Sequence, residues 1–324
     1  MAKARAIVKR RKAVRNIRKI TKTMQMIATA KFQRSLKRAV NTKPYTHKIR
    51  ELVHELAEHV GEIEHPLLRQ PTDEDRARRI ALVVITSNRG LAGAYNGNIV
   101  RLAATFIREQ EAAGVHVDLY VSGKKGVTYF NYRKRPLAER YDQFADQPRY
   151  ADAHAVAEKF IKQFTEKEID SVHVAYMDFI STATQRPEVL QLLPMAGLRE
   201  SADHIVQQLH EKESQARAGA LDATHRGHEA TSHVMEPEVM SDFLPSAEEL
   251  LRELLPLTVS MTLFQCFLDA ATSEHVARMV AMKSATDNAD KMVKSLTMRY
   301  NRARQSQITT ELSEIMGGVE AMKG

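Results

Sequence analysis

The last part of the chain contains a very long stretch that can form one uninterrupted helix. No proline or glycine occurs between Pro256 and Gly317, a span of 60 residues, or about 90 Å at 1.5 Å per residue. Within it, apolar and small residues recur at spacings of three and four, the pattern of heptad a and d positions. These positions are Met279, Met282, Thr286, Ala289, Val293, Leu296, Tyr300 and Ala303. Because globular domains rarely contain so long a helix, the pattern predicts a coiled coil.

A second heptad pattern lies at the opposite end of the chain. We expect its apolar positions to form the buried seam of a helix, and they are Ala13, Ile17, Ile20, Met24 and Ile27. Pro44 is the first residue that we expect to interrupt this helix. Two heptad segments at opposite ends predict that the termini pair as a long α-helical antiparallel coiled coil. Two separate bundle helices or a homodimeric coil also fit the periodicity.

Strand and helix signals alternate between the two heptad segments. Apolar strands are predicted at residues 79–86, 115–121 and 171–179, with a weaker signal at 188–193. Amphipathic helices are predicted at 96–112, 124–132 and 150–167. Strands separated by helices predict an α/β fold, a central three-layer Rossmann-like domain with a mainly parallel sheet.

The chain divides into four predicted segments. They are the N-terminal helix of a coiled-coil shaft (1–65), the central α/β domain (75–198), a polar insertion (199–244) and the C-terminal helix of the shaft (245–324). Ser246, followed by Glu248 and Glu249, predicts the start of the last helix. The insertion carries five histidines whose spacing does not form a compact metal-binding pair.

The basic residues are concentrated at the start of the chain. Residues 1–50 carry 17 Lys or Arg and no Asp or Glu, so the remainder of this chain of net charge +8 is acidic. A basic coiled-coil nucleic-acid-binding protein is therefore the main alternative function, and a mitochondrial transit peptide has a similar composition. No run of about 18 apolar residues occurs, which predicts no transmembrane segment.

The glycine-rich stretch TSNRGLAGAYNG, residues 86–97, follows the first predicted strand. Loops in this position often bind phosphates, and a nucleotide-dependent α/β enzyme is a further alternative. However, its spacing fits neither common phosphate-binding motif, so we predict a tight turn and no cofactor. Cys266, the one cysteine, lies in an apolar run and is predicted to be a buried core residue. No catalytic constellation is evident.

Several segments together resemble one protein family. Residues 273–317, with RMVAMKSATDNA and NRARQSQITTEL as their most specific parts, resemble the C-terminal signature of the gamma subunit of F-type ATP synthases. RNIRKITKTMQMIATAKF, residues 15–32, resembles the first helix of that family. VVITSNRGLAGAYN and QRPEVLQLLP resemble parts of its central domain. The similarity covers nearly the whole chain apart from the insertion.

The resemblance implies a non-catalytic rotor subunit of the central stalk. Such a subunit couples proton flow across a membrane to the conformational cycling of catalytic sites in the beta subunits. The implied partners are a ring of three alpha and three beta subunits around the coiled coil, an epsilon subunit and the membrane c-ring. We therefore expect a peripheral protein on the cytoplasmic side of a bacterial inner membrane.

The resemblance also implies subunit contacts at matching positions. The residues expected to face the moving lobe of a beta subunit are Lys22, Met24 and Gln25. The residues expected to meet the loops that grip the shaft are Arg304, Gln305 and Thr309. The residues expected to occupy an apolar bearing at its top are Ile308, Leu312, Ile315 and Val319.

The insertion lies near the place where chloroplast relatives carry a redox-regulated segment. With Cys266 as its one cysteine, this chain cannot form the dithiol that such a switch requires.

Overall fold

The computed structural model describes residues 2–60, 65–70, 78–144, 146–195 and 246–322. The predicted insertion at 199–244, with its five histidines, lies outside the described residues. The chain forms two compact units. One comprises Met1–Gln33, Leu91–Gly93 and His275–Gly324, and the other comprises Arg34–Gly90 and Ala94–Glu274. The four-segment division made from the sequence stays a prediction.

The described chain alternates helices and strands between two very long helices. In order, the elements are α1 (Ala2–Val60), a 3-10 turn (Pro66–Leu68), β1 (Arg79–Ile85), α2 (Tyr95–Ala112), β2 (His116–Ser122), α3 (Lys124–Tyr132), β3 (Glu139–Tyr141), α4 (Tyr150–Thr165), β4 (Ser171–Phe179), β5 (Gln185–Leu193) and α5 (Ala247–Ala321). The 75 residues of α5 correspond to about 110 Å of helix.

The second unit contains a five-stranded sheet in the order β3-β2-β1-β4-β5. β1 runs parallel to β2 and β4, and β3 runs parallel to β2. β5 is antiparallel to β4, as a strand joined to its neighbour by a short turn must be. The prediction of a mainly parallel sheet is confirmed. The sequence does not predict the three-residue β3, because so short a strand shows no periodicity.

The sheet is covered by helices on both faces. Ala81, Val83 and Ile85 of β1 face a core that also contains residues of α1, α4 and α5. The alternate β1 residues point to the opposite face, where α2 contacts four of the five strands. This helix–sheet–helix arrangement confirms the predicted three layers.

Both long helices continue through a proline. Pro44 lies inside α1 and Pro256 inside α5, so the expected interruption at Pro44 is wrong. A proline in a helix interior costs about 3 kcal/mol, whereas each fully buried aliphatic side chain contributes about 1.5–3 kcal/mol. Apolar residues buried near these prolines include Ile49, Val53 and Leu56 in α1 and Leu251, Leu255 and Val259 in α5. Tertiary burial therefore outweighs the local cost.

The start of α5 is capped as the sequence predicts. The backbone N–H of Glu249 donates to Ser246 Oγ at 3.2 Å. This bond satisfies one of the free donors of the first helical turn.

Gly123 connects β2 to α3 and has a left-handed backbone conformation, which glycine adopts more readily than other residues. Its φ is +92°, and a Cβ atom there would lie 2.1 Å from the carbonyl oxygen of Thr86. Thr86 Oγ1 in turn accepts from the backbone N–H of Gly126 at 2.9 Å. The close approach of the two backbones therefore requires glycine.

We expect Gly123→Ala to lower the free energy of unfolding by at least about 3 kcal/mol, since it combines a left-handed backbone with a severe overlap. Gly97 is the matched control, because it lies in α2 and a Cβ atom added to it would meet nothing within 4 Å. Gly97→Ala should raise stability by about 0.5–1 kcal/mol. Urea unfolding followed by circular dichroism measures both changes. Equal effects would contradict this description of the turn.

His173 in β4 is packed inside the domain and is held neutral. Burial lowers its pKa to about 4. Its ring nitrogen Nε2 lies 3.0 Å from Ser171 Oγ, and its ring centroid lies 4.9 Å from that of Phe106. In the unfolded chain a histidine has a pKa of about 6.5. The unfolded state therefore binds the proton first as pH falls.

The free energy of unfolding should consequently fall by up to about 3 kcal/mol from this histidine as pH falls from about 6.5 to about 4. Above pH 6.5 both states are neutral at this site, and its contribution no longer changes. His173→Gln should flatten that part of the stability profile. Urea unfolding at a series of pH values measures both profiles. A His173→Gln variant whose stability falls as steeply as that of the wild-type chain between about pH 6.5 and about pH 4 would contradict this account.

Candidate functional site

The first unit is an antiparallel coiled coil of α1 and α5. Thr286 Oγ1 lies 2.8 Å from Thr21 Oγ1, and both side chains are buried. Nearer the start of α1, Val14 packs with Ala289 and Leu296. Residue numbers rise along α1 as those of their partners fall along α5. The predicted pairing of the termini is therefore confirmed.

Charged and aromatic side chains flank this seam. Arg18 Nε lies 2.5 Å from Asp290 Oδ1, with both side chains nearly half exposed. The guanidinium of Arg11 lies 5.0 Å from the ring centroid of Tyr300. An exposed ion pair contributes at most about 1 kcal/mol, and a cation–π contact contributes a similar amount. These contacts favour one alignment of the helices, whereas apolar burial provides most of the stability.

The seam predicted for α5 is confirmed, but the seam predicted for α1 is wrong. On α5, Met282, Thr286, Ala289 and Leu296 are buried. On α1, Ile17, Ile20 and Ile27 are more than half exposed. The residues buried on this part of the helix instead include four at seven-residue intervals, Val14, Thr21, Ala28 and Ser35, together with Phe32 and Ala39. Small and polar side chains allow the backbones to approach closely, so the larger isoleucines lie on a neighbouring face.

The two groups of predicted contact residues lie at different levels of the coil. Lys22 is exposed, and Met24 and Gln25 are half-buried beside the Thr21 layer. Arg304 and Gln305 are exposed on α5, about 30 Å further along the axis at 1.5 Å per residue. The structure therefore does not bring the two groups together. Their roles in subunit contacts stay predictions.

The end of α5 exposes a row of apolar side chains. Ile308, Leu312, Ile315 and Val319 are each about half exposed or more. Thr309 is also exposed, and its Oγ1 donates to the carbonyl oxygen of Gln305 at 3.0 Å. Arg11 lies opposite Tyr300 and α1 begins at Ala2, so within the described chain α5 beyond about residue 309 has no α1 residue opposite. A helix with such a face is typical of one that binds a partner.

The glycine-rich turn at 86–97 bonds to itself and to its neighbours. The backbone N–H of Ser87 donates to Asn96 Oδ1 at 2.9 Å, and Ser87 Oγ donates to the carbonyl oxygen of Arg89 at 2.6 Å. The backbone N–H of Lys124 donates to Asn88 Oδ1 at 3.1 Å. Because these donors already have acceptors, the geometry supports a structural turn.

Other candidate chemistry is limited in the described residues. Cys266 is buried, as predicted. Within the described ranges, no three His, Cys, Asp or Glu side chains are placed to hold a metal ion.

The helix Glu249–Val319 is long and apolar enough to cross a membrane, but 67% of its most apolar window is buried inside the protein. Buried core helices commonly meet that criterion, so this is weak evidence for a span.

The fold defines a coiled-coil protein that carries an α/β domain between its two long helices. The ATP synthase family model matches residues 3–322. Across all 324 residues, the chain is 42% identical to the ATP synthase gamma chain of Rhodopirellula baltica, with both chains fully covered. It is 36% identical to the gamma chain of Leptospira biflexa over 99% of this chain and 100% of that one. The chain therefore belongs to the family of ATP synthase gamma chains.

Solved structures share the fold at low sequence identity. A chain of the Euglena gracilis mitochondrial ATP synthase assembly of OSCP, F1 and c-ring aligns with a TM-score of 0.60 at 17% identity, covering 99% of this chain and 95% of that one. A chain of the Tetrahymena thermophila mitochondrial ATP synthase central stalk and c-ring aligns with a TM-score of 0.52 at 22% identity, covering 82% and 99%. Both confirm the architecture.

The seam of the coil can be tested with two substitutions of similar size, one on each helix. We expect Leu296→Ala to lower the free energy of unfolding of the first unit by about 2–4 kcal/mol, because it opens a cavity in the seam. Ile20→Ala should change it by less than about 0.5 kcal/mol, since that side chain is exposed. Thermal unfolding of the isolated chain followed by circular dichroism measures both. A larger effect at Ile20 would restore the seam predicted from the sequence.

Proposed function

We propose that this chain is the non-catalytic rotor of the central stalk of an F-type ATP synthase. In this proposal the α1–α5 coil occupies the centre of a ring of three alpha and three beta subunits, and an epsilon subunit and a c-ring are further partners. The single observation that carries the proposal is full-length similarity to gamma chains. That similarity favours a rotor over a nucleic-acid-binding coiled coil.

The surface of the coil supports a role in which partners surround it. Isoleucines on α1 and a row of apolar residues at the end of α5 are exposed in the isolated chain, and exposed apolar patches often mark binding surfaces. The first 50 residues are wholly basic among their charged side chains. Such a surface can contact acidic groups at several orientations, and each contact is weak enough to exchange.

Mechanical coupling requires that each catalytic site make different contacts with different sides of the shaft. A ligand or partner shifts a conformational equilibrium only through its differential affinity for the two states. The coil has this asymmetry, because isoleucines, cations and polar groups lie on different faces of it. One charge crossing 100 mV supplies about 2.3 kcal/mol, so several transfers must be combined through a shaft that stores the strain.

We further propose that the complex is associated with a bacterial inner membrane and that this chain lies on its cytoplasmic side. The bacterial relatives at 42% and 36% identity support this placement. The chain would then act as a peripheral subunit. We also propose subunit contacts at the individual residues that the family resemblance implies. They are Lys22, Met24, Gln25, Arg304, Gln305, Ile308, Thr309, Leu312, Ile315 and Val319.

Reconstitution with alpha and beta subunits tests the proposed function. The wild-type chain should enter the ring as one copy, and ATP hydrolysis should rise with its addition. Arg304→Ala/Gln305→Ala should lower that stimulated hydrolysis about tenfold or more, because a hydrogen bond to a charged group contributes about 1.5–3 kcal/mol. Asn301→Ala/Arg302→Ala removes the same charge from the same exposed stretch and should have a much smaller effect.

Complex size and hydrolysis would be measured on the same samples. A folded wild-type chain that does not enter the ring would overturn the rotor proposal. Equal losses in the two double variants would overturn the assignment of Arg304 and Gln305 as specific contacts.

A further inference from the structure

A basic and aromatic surface lies on α3 and the turn that follows it in the second unit. We call it the α3 patch, and its residues are Lys124, Lys125, Tyr129, Tyr132, Arg133 and Lys134. Tyr132 is 85% exposed. A tyrosine normally buries most of its ring, because the ring is apolar. The exposure of this tyrosine among cations therefore indicates a binding surface.

The patch is organised by the helix. Lys125, Tyr129 and Tyr132 lie at positions i, i+4 and i+7 of α3 and therefore share one face. Arg133 follows on the same side, and its guanidinium lies 5.8 Å from the ring centroid of Tyr129. The aromatic rings and the cations therefore form one continuous surface.

The positive charge of the patch is not neutralised within the described residues. The sequence from Lys124 to Pro136 contains no Asp or Glu. Arg135, which lies outside the patch, pairs with Glu111 at 2.6 Å. The four cations of the patch form no ion pair in the described part of the chain. The surface is thus cationic as a whole.

Stabilisation of α3 explains part of this pattern only. Arg133 and Lys134 follow the C-terminal end of the helix, where cations interact favourably with the helix dipole. Lys124 and Lys125 occupy the first turn, where the same dipole disfavours cations. The exposure of Tyr132 contributes nothing to helix stability. Helix stability therefore accounts for neither the two lysines nor the exposed tyrosine.

We propose that the α3 patch binds the surface of an anionic membrane through lipid headgroups. Lysine and arginine are attracted to anionic lipids, and tyrosine is enriched at the boundary between headgroups and acyl chains. Tyr132 protrudes at the end of a helix, and a protruding ring can enter a fluid headgroup layer. A protein partner would instead need a preformed pocket for that ring.

This inference rests on the proposed membrane-associated rotor in one respect, because that function brings the chain near a bilayer. A fluid lipid surface has no fixed rotational position, so contact with it is compatible with a turning subunit. Each cation near an anionic leaflet strengthens binding about fivefold. Removal of two cations should therefore weaken binding about 30-fold.

Fluorescence can report on the patch alone. The chain contains no tryptophan, so Tyr132→Trp introduces a single reporter. Vesicles of phosphatidylglycerol and brominated phosphatidylcholine should shift its emission to the blue and quench it, whereas vesicles of phosphatidylcholine alone should not. Tyr45→Trp is the control reporter, because Tyr45 is also more than half exposed but lies on α1. It should be quenched far less.

Two further double variants, each built on Tyr132→Trp, test specificity. Arg133→Ser/Lys134→Ser should raise the lipid concentration for half-maximal quenching about 30-fold. Arg101→Ser/Arg108→Ser removes the same charge from exposed positions on α2 and should change it by less than about threefold. Equal effects of the two pairs would indicate attraction by net charge and would overturn the proposal.

The outcomes separate lipid from protein and this proposal from the rotor proposal. If the chain binds vesicles through its basic first helix while the reporter in the α3 patch remains unquenched, the patch does not bind membranes. A blue shift of that reporter with soluble polyglutamate but not with vesicles would assign the surface to an acidic protein and would equally overturn the inference. Reconstitution of the alpha and beta ring contains no lipid, so either proposal can fail without the other.

Discussion

The antiparallel seam between α1 and α5 is the interaction on which the coil depends. The first 50 residues carry 17 cations and no carboxylate, so α1 alone is destabilised by repulsion between like charges. Partners from α5 offset that repulsion: Asp290 pairs with Arg18, and Tyr300 lies beneath Arg11. On α1 the seam includes small and polar side chains such as Ala28 and Thr21. Larger apolar residues are therefore left on the outside, where a surrounding ring could bind them.

Much of the fold is predictable because its periodic signals are long. The strand pattern at 171–179 and the helix pattern at 124–132 match the observed elements, and α5 begins directly after Ser246, where the sequence predicts its start. The local sequence does not show how much apolar surface each helix buries in the tertiary structure. The prediction that α1 is interrupted at Pro44 is therefore wrong, since Val53 and Leu56 are buried after it. β3 is not predicted, because a strand of three residues is too short to show a periodic pattern of apolar residues.

The candidate site is harder to predict, because hydrophobicity alone does not identify the residues of the seam. It favours Ile17 and Ile20, but they are exposed. The seven-residue recurrence of Val14, Thr21 and Ala28 is the signal that the sequence contains. Thr21 is buried because Thr286 lies opposite it, and that pairing depends on a residue 265 positions away. The contact residues come from family resemblance, and the single chain does not contain the partners that would test them.

Direct observation of rotation tests the central claim most directly. A bead would be attached through Glu109→Cys, at an exposed position on α2, with the alpha and beta ring fixed to a surface. Addition of ATP should turn the bead in one direction, in steps of about 120°, as a ring with three equivalent sites requires. A ring that hydrolyses ATP while the bead remains still, or moves in no preferred direction, would contradict the account of this chain as a rotor.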